Sequence, residues 1–270
     1  MKFFDMFQYA FMNKAFLMGA LIALCCSCLG LFLVLRKYSM IGDGLGHVSF
    51  ASVAVALLVG ASDLIISIPM VTIASFLIYR FSQKKMMHGD AAIGLISATF
   101  MALGVFIASQ AEGFNADILS YLFGSILAIS DTDVYIALIL APLVLALVLF
   151  FYHTLVFITY DEDFSRVLHV RVNLYNYLLL ALTSVTVVLG IRVVGSLLIS
   201  SLIIFPAVTA LQISRGFRSS LVISSLISVS CVIIGITLAF FLNWPAGATI
   251  VLLNGIAFLC SLILKRLLRR

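Results

Sequence analysis

Long apolar runs separated by short polar breaks occupy most of the chain. A membrane-spanning helix needs about 20 mainly apolar residues, and nine runs approach or reach that length. Because these runs are apolar on every face, they predict helices rather than barrel strands, which alternate apolar and polar positions. The predicted spans are 15–35, 41–60, 64–79, 91–109, 134–159, 174–191, 195–214, 220–242 and 246–264.

Two shorter segments complete this pattern. The stretch 118–129 is too short to span a bilayer, so it predicts a re-entrant or interfacial helix. Residues 1–14 interrupt their apolar part with acidic and aromatic residues and have no A-x-A-like cleavage site, which indicates a retained interfacial segment. We therefore expect an all-α, polytopic membrane protein in which residues 1–270 form a single transmembrane domain.

The composition agrees with a membrane protein and excludes several soluble functions. Of the 270 residues, 64% are apolar and 10% are charged, whereas soluble domains carry about 25% charged residues. The spans leave little room for a soluble catalytic domain, and the chain lacks the G-x-x-x-x-G-K-[ST] loop of nucleotide hydrolases. Any energy source must therefore belong to a separate chain.

The basic residues indicate the orientation of the spans. Thirteen of the 16 Lys and Arg residues fall on alternate connections, and the other three, Lys2, Lys14 and Arg192, fall on the opposite side. The positive-inside rule then predicts an external N-terminus and a cytoplasmic C-terminus. The net charge of +5 is explained by these loops, so no nucleic-acid partner is expected.

Asp43 and His47 place a carboxylate and an imidazole inside the second predicted span. Residues four apart share a helix face, so both side chains could reach one ion. This ligand pair suits zinc, manganese or iron(II). Two ligands are fewer than the four of a closed zinc site, which favours transient passage. The alternative is that Asp43 caps the helix and bonds to His47 with no ion present.

Small and polar residues are concentrated in the same span and in a later one. The second predicted span contains Gly42, Gly44 and Gly46, and the seventh contains Gly195, Ser196, Ser200 and Pro206. Small residues let a neighbouring helix approach closely. Proline frees a backbone carbonyl that can meet a hydroxyl, water or an ion. These residues are candidates for lining or gating a path, and packing alone is the alternative.

The connection 160–172 predicts a short amphipathic helix on the cytoplasmic side. Phe164, Val167 and Leu168 form a small apolar face, and Asp161 and Asp163 lie at its charged start. Such a helix is a natural docking surface for a soluble partner. A solvated linker is the alternative.

Five segments, in order along the chain, resemble the zinc/manganese-type permease family of bacterial ABC importers. They are SMIGDGLGHVSFA from Ser39, GDAAIGLISATFMALG from Gly89, LSYLFGSILAIS from Leu119, YDEDFSRVLHV from Tyr160 and VVGSLLISSLIIFPAVTA from Val193. The resemblance implies a homodimer or pseudo-dimer of permeases in the plasma membrane of a bacterium, with a cytoplasmic ATP-binding subunit and an extracellular metal-binding lipoprotein as partners. It also implies that ATP is hydrolysed by the partner, and that a divalent metal is cargo rather than a permanent cofactor.

By the same resemblance, the family's acid and histidine fall on Asp43 and His47, and its coupling loop falls on 161–170. Gly44 and Gly46 depart from the alanine and serine that relatives often carry, which could widen the passage. The sequence HVSF from His47 is more similar to zinc-type members, so zinc is expected ahead of manganese or iron. The alternative is an ion-coupled secondary carrier acting without an ATPase. Such a carrier needs several intramembrane acids, whereas the spans offer one clear example, Asp43.

Overall fold

The computed structural model describes residues 6, 8–83, 89–110, 124, 129–196 and 198–268, and the elements it defines there are all α-helices. They are α1 Ala10–Leu35, α2 Ile41–Val59, α3 Asp63–Ser82, α4 Gly89–Ala108, α5 Asp131–Phe150, α6 Tyr152–Tyr160, α7 Glu162–Val167, α8 Val172–Val194, α9 Ile199–Ile213, α10 Phe217–Leu242 and α11 Ala246–Leu268. Eight of these helices are long and apolar enough to cross a membrane, and α9 is a shorter apolar helix. The predicted all-α, multi-pass membrane fold is confirmed.

Three helices form the centre of the bundle. In α1 and α8, 72% of the apolar span is buried, and in α2 67%, against 22% in α4. α1 packs on α5, α8, α9 and α10, while α2 packs between α3 and α4. Because α2 also touches α8 and α9, it lies where these two groups of helices meet.

Hydroxyl groups join α1 to α10 along a line that we call the α1–α10 seam, formed by Ala23, Ser27, Ser225 and Ser228. The Ser228 hydroxyl donates to the Ala23 carbonyl at 3.0 Å, and the Ser27 and Ser225 hydroxyls lie 3.1 Å apart. A buried hydroxyl in apolar surroundings needs such a partner. The seam therefore satisfies these polar groups where the two helices pack together.

The predicted span 134–159 is wrong as a single helix. It consists of α5 and α6, which meet at Phe151. The Phe151 ring packs on Tyr175 with 5.5 Å between centroids, and the adjacent Tyr152 ring packs on Phe217 at 5.8 Å. α5 thus ends and α6 begins where two adjacent aromatic rings pack on different partners.

The predicted start of the seventh span at Gly195 is also wrong, because α9 begins at Ile199. Gly195 has a φ of +94°, which ends α8 at Val194. Glycine adopts this backbone conformation without the steric cost that a Cβ would bring. Gly195, Ser196 and Leu198 lie outside both helices, and we call the connection 195–198, of which 197 is not described, the α8–α9 link.

Of two predicted segments, one lies largely and the other partly outside the described residues. Of the stretch 118–129, the structure describes only Gly124 and Ile129. Gly124 has a φ of +74°, and a Cβ placed on it would lie 2.6 Å from the carbonyl carbon of Val194. Of the segment 1–14, residues 1–5 and 7 are not described, and residues 10–14 continue into α1 without a break.

Ion pairs and loops distinguish the two ends of the bundle. At one end, which we call the α7 end, α7 lies near the α1–α2 turn, since Arg36 in that turn bonds to α6 just before α7. At the opposite end, Arg192 pairs with Asp63, and Lys14 pairs with Asp131 at 2.6 Å. The assignment of the α7 end to the cytoplasm stays a prediction from the basic residues.

Candidate metal site and coupling helix

Asp43 and His47 lie in the first two turns of α2, on the one face of this stretch that is partly exposed. Their side chains are 37% and 25% exposed, and Asp43 Oδ2 lies 3.8 Å from His47 Nε2. The residues between and beside them are all buried: Ile41, Gly42, Gly44, Leu45, Gly46 and Val48. The pair therefore forms a polar stripe on an otherwise buried part of an apolar helix.

The alternative in which Asp43 caps the helix and bonds to His47 lacks both of its contacts. The N-cap residue of α2 is Met40, and no side chain makes a cap hydrogen bond there. A separation of 3.8 Å is longer than a hydrogen bond. The Asp43 carboxylate does gain from its place at a helix N-terminus, but its oxygens and the imidazole remain available to a shared ligand.

The described residues add no further ligand group to this pair. Within the described parts of the chain, no group of three or more His, Cys, Asp or Glu residues could hold a metal ion. Zinc and similar ions take four or more ligands. The remaining ligands would therefore have to come from a second chain, from water, or from ligands that arrive bound to the ion.

Gly42 and Gly46 bring α2 close to α9 and to the α8–α9 link. A Cβ on Gly42 would lie 3.2 Å from the Cα of Ser200, and one on Gly46 would lie 2.9 Å from the carbonyl oxygen of Ser196. These distances are shorter than ordinary carbon contacts, so a larger side chain would push the elements apart. Gly42, Gly46, Ser196 and Ser200 thus meet behind the Asp43–His47 stripe.

Gly44 faces a different helix. A Cβ placed on it would lie 2.6 Å from Cγ2 of Ile93 in α4. In this arrangement Ile93 and the Ser196 carbonyl occupy the space that the absent side chains of Gly44 and Gly46 leave, and a wider passage at these two glycines stays a prediction. The two glycines allow close packing on both sides of α2.

The polar residues predicted in the seventh span are only partly brought to the site. Ser196 and Ser200 are buried beside α2, and the Ser200 hydroxyl has no hydrogen-bond partner among the described residues. Gly195 precedes them in the α8–α9 link. Pro206 is buried in α9 six residues beyond Ser200, roughly 9 Å along the helix axis, and so lies apart from this group. A role of these residues in gating stays a prediction.

The predicted amphipathic helix in 160–172 is present as α7. Asp161 caps it, because its Oδ1 accepts a hydrogen bond from the backbone N–H of Phe164 at 2.9 Å. The apolar residues Phe164, Val167 and Leu168 are 51%, 70% and 53% exposed. Asp163 lies in the first turn of α7, where a carboxylate is favoured by the helix dipole. α7 thus presents an uncovered apolar face, as a docking helix would.

One ion pair lies within α7 itself. Arg166 donates to Glu162 one turn earlier at 2.7 Å, and this hydrogen bond raises the pKa of Arg166. Both groups are largely exposed, so the pair contributes little to stability. It holds the Arg166 side chain over the start of α8, where the guanidinium also reaches Asn173 at 3.4 Å.

Sequence reasoning missed Arg36, which counted there only as a loop residue marking orientation. In the structure it is half-buried and bonds to residues of α6 and α8. The available signals were its position directly after an apolar run and the Asn176 that interrupts the apolar start of the sixth span.

Comparisons with known proteins agree with this architecture. The model of the ABC 3 transport family matches residues 8–265 of the chain. The manganese import system permease protein ScaB of Streptococcus gordonii is 29% identical over 266 residues, which cover 97% of this chain and 95% of that protein. A Treponema pallidum protein named "Probable metal transport system membrane protein" is 32% identical over 262 residues, which cover 97% of this chain and 98% of that protein.

A solved structure gives the same answer for the fold. The structure of PsaBC from Streptococcus pneumoniae in complex with Fab contains a chain with a TM-score of 0.87 and 30% sequence identity to this one. The match covers 96% of this chain and 94% of that chain. Because the family model and the structural match both extend over nearly the whole sequence, the chain belongs to the ABC 3 transport family of metal-ion ABC permeases.

Proposed function

We propose that this chain is the permease subunit of an ATP-driven importer, and that its cargo, a divalent transition metal ion, passes Asp43 and His47 on its way into the cytoplasm. One observation carries the proposal. The pair is the only partly exposed part of the buried start of α2, and ionisable groups kept inside a membrane helix usually line a polar path. Membership of the ABC 3 transport family argues against the alternative, a secondary carrier acting without an ATPase.

The cargo is proposed as a class of ion, with manganese, zinc and iron(II) as the three to be compared. A carboxylate and an imidazole suit manganese and zinc. The HVSF sequence from His47 favours zinc, whereas the relative from Streptococcus gordonii is named as a manganese import permease. Iron(II) fits the same ligands, and the transport assay below distinguishes the three.

Two copies of the chain would complete the ion's shell. We propose a homodimer in which the Asp43–His47 stripes of the two permeases face one another. One stripe supplies one carboxylate and one imidazole, so two stripes supply the four ligands of a tetrahedral site. The stripe is partly exposed in one chain, as a surface shared between copies would be. The mass of the detergent-solubilised complex tests for two permeases.

The proposed importer also needs partners on each side of a bacterial plasma membrane. A cytoplasmic ATP-binding subunit would dock on α7, whose Phe164, Val167 and Leu168 are exposed. A metal-binding lipoprotein would deliver the ion at the opposite end. ATP hydrolysis then belongs to the partner subunit, because the chain has no phosphate-binding loop of its own.

Metal uptake into vesicles that contain the permease with its ATP-binding subunit tests the proposed site. Asp43→Asn keeps the size of the side chain and removes its charge, and His47→Ala removes the imidazole. We expect each substitution to abolish most ATP-dependent uptake of manganese, zinc or iron(II), because either loss leaves the site short of a ligand.

Two matched substitutions outside the stripe serve as controls. Asp90→Asn makes the same change in the first turn of α4, at an exposed position. His153→Ala removes an exposed imidazole of α6. Both controls should transport normally. Full uptake by Asp43→Asn and His47→Ala at normal protein levels would refute the proposed site.

A further inference from the structure

A polar cluster at the α7 end joins three helices and the α1–α2 turn. It consists of Arg36, Tyr79, Thr159, Asn173 and Asn176, and we call it the Arg36 cluster. Tyr79 lies in α3, Thr159 in α6, and both asparagines in α8. Tyr79 and Asn176 are 3% and 4% exposed, so their polar groups lie inside the protein, where a hydrogen bond is costly to lose.

Arg36 donates three hydrogen bonds in this part of the structure. Its guanidinium donates to the Thr159 hydroxyl at 2.9 Å, to the Leu155 carbonyl at 3.2 Å and to the amide oxygen of Asn176. All three acceptors are neutral. Burial lowers the pKa of Arg36, and the negative charge of Glu162 in α7 acts in the opposite direction. The three neutral acceptors together therefore fix the position of the buried Arg36 guanidinium.

A continuous series of hydrogen bonds connects Arg36 to α7. The Asn176 amide donates to the Tyr79 hydroxyl at 2.8 Å, and that hydroxyl donates to the amide oxygen of Asn173 at 3.1 Å. Arg166 of α7 reaches the same oxygen at 3.4 Å. Each member of the series thus bonds to the next, from the docking helix to the end of α1.

The other side of Arg36 leads to the metal site. Arg36 caps α1, and the chain then turns through Lys37, which has a φ of +62°, to begin α2 at Ile41. The turn is tied to α3 by the Tyr38 and Ser82 hydroxyls, which lie 2.8 Å apart. Asp43 is only seven residues beyond Arg36, so a displacement of Arg36 moves the start of α2.

We propose that Arg36 and Tyr79 are positioning residues, which transmit the movement of α7 to the α1–α2 turn and thereby to the Asp43–His47 stripe. The proposal rests on the proposed function, since it takes α7 as the docking site of the ATP-binding subunit. A network of packed, hydrogen-bonded side chains can couple two distant sites when the network has two discrete arrangements.

The first test removes one hydroxyl from the series. Tyr79→Phe deletes the central bond and keeps the ring, which packs against Tyr177 with 5.0 Å between centroids. Tyr177→Phe is the matched control, because it makes the same change on the facing ring outside the series. In vesicles holding permease and ATP-binding subunit, we expect Tyr79→Phe to lower the number of metal ions imported per ATP roughly three- to tenfold. Tyr177→Phe should leave this ratio unchanged.

A second test follows the movement itself and needs no metal. A spin label on Met40→Cys, at the exposed N-cap of α2, reports whether ATP moves the start of this helix. The background carries Cys260→Ala, since the other four cysteines are buried. We expect ATP to shift the label's spectrum in the wild type and in Tyr177→Phe. We expect the shift to be lost in Tyr79→Phe and in Arg36→Lys, whose ammonium cannot replace the planar guanidinium.

The outcomes separate the two proposals. If the label responds to ATP equally in wild type, Tyr79→Phe and Arg36→Lys, or does not respond in the wild type, the Arg36 cluster does not transmit the movement. If the label responds as expected while the wild type imports neither manganese, zinc nor iron(II), the proposed cargo is wrong and the transmission stands. Equal amounts of assembled complex for all variants exclude a folding defect as the cause.

Discussion

Replacing Gly46 by alanine should loosen the contact between α2 and the α8–α9 link. The added Cβ would lie 2.9 Å from the Ser196 carbonyl oxygen, well inside the 3.4 Å at which ordinary contact begins. The clashing atom belongs to the backbone of a link that Gly195 holds at a φ of +94°, so it cannot rotate away as a side chain would. Overpacking of this kind costs about 1–3 kcal/mol.

Gly94→Ala provides the matched comparison. Gly94 is an exposed helical glycine of α4, and a Cβ there meets nothing within 4 Å. Both substitutions gain about 1 kcal/mol from the helix preference of alanine over glycine. Because only Gly46→Ala also clashes, we expect it to be about 1–3 kcal/mol less stable than Gly94→Ala.

The free energy of unfolding of the purified permease, measured by titration with denaturing detergent and followed by circular dichroism, gives this difference directly. Metal uptake should fall in Gly46→Ala as well, because His47 is the next residue and moves with the helix. Equal unfolding free energies for the two variants would show that the Ser196 carbonyl does not lie against Gly46, and would refute the packing argument.

Three further predictions address the orientation, the docking helix and the metal affinity. Cysteines at Ala61 and Gln83, in a cysteine-free chain, should react with an impermeant thiol reagent from outside and from inside respectively, and labelling of both from outside would contradict the external N-terminus. Phe164→Ala should weaken binding of the ATP-binding subunit by about 2 kcal/mol, measured by co-purification; Leu58→Ala, an equally exposed apolar residue at the opposite end, should not, and unchanged binding in Phe164→Ala would count against docking on α7. The isolated permease should bind manganese and zinc weakly by calorimetry, because a conducting site must release its ion; nanomolar binding with strong preference for one metal would show that the permease itself selects.

The elements that sequence predicted best are those that the bilayer itself constrains. A span must be long and apolar, so the runs along the chain place α2, α3 and α10 within a few residues. The shared face of Asp43 and His47 follows from the helical period, and the exposed face of α7 follows from the spacing of Phe164, Val167 and Leu168.

The contacts between helices were beyond prediction for a physical reason. When a helix is apolar on all sides, no stripe of polar residues reveals which face packs on which neighbour. Gly44 against Ile93 and Arg36 with Asn176 are therefore visible only in the structure. Local conformation is equally ambiguous, because Gly195 ends a helix while Gly94 lies within one.

The α1–α10 seam restricts how this bundle can change shape. Two apolar helices could slide past one another at little cost in lipid, because every offset buries similar surface. The hydroxyl pair of Ser27 and Ser225 belongs to this offset, and a slip by one turn, about 5.4 Å, would separate the two hydroxyls. α1 and α10 should therefore move together during a transport cycle.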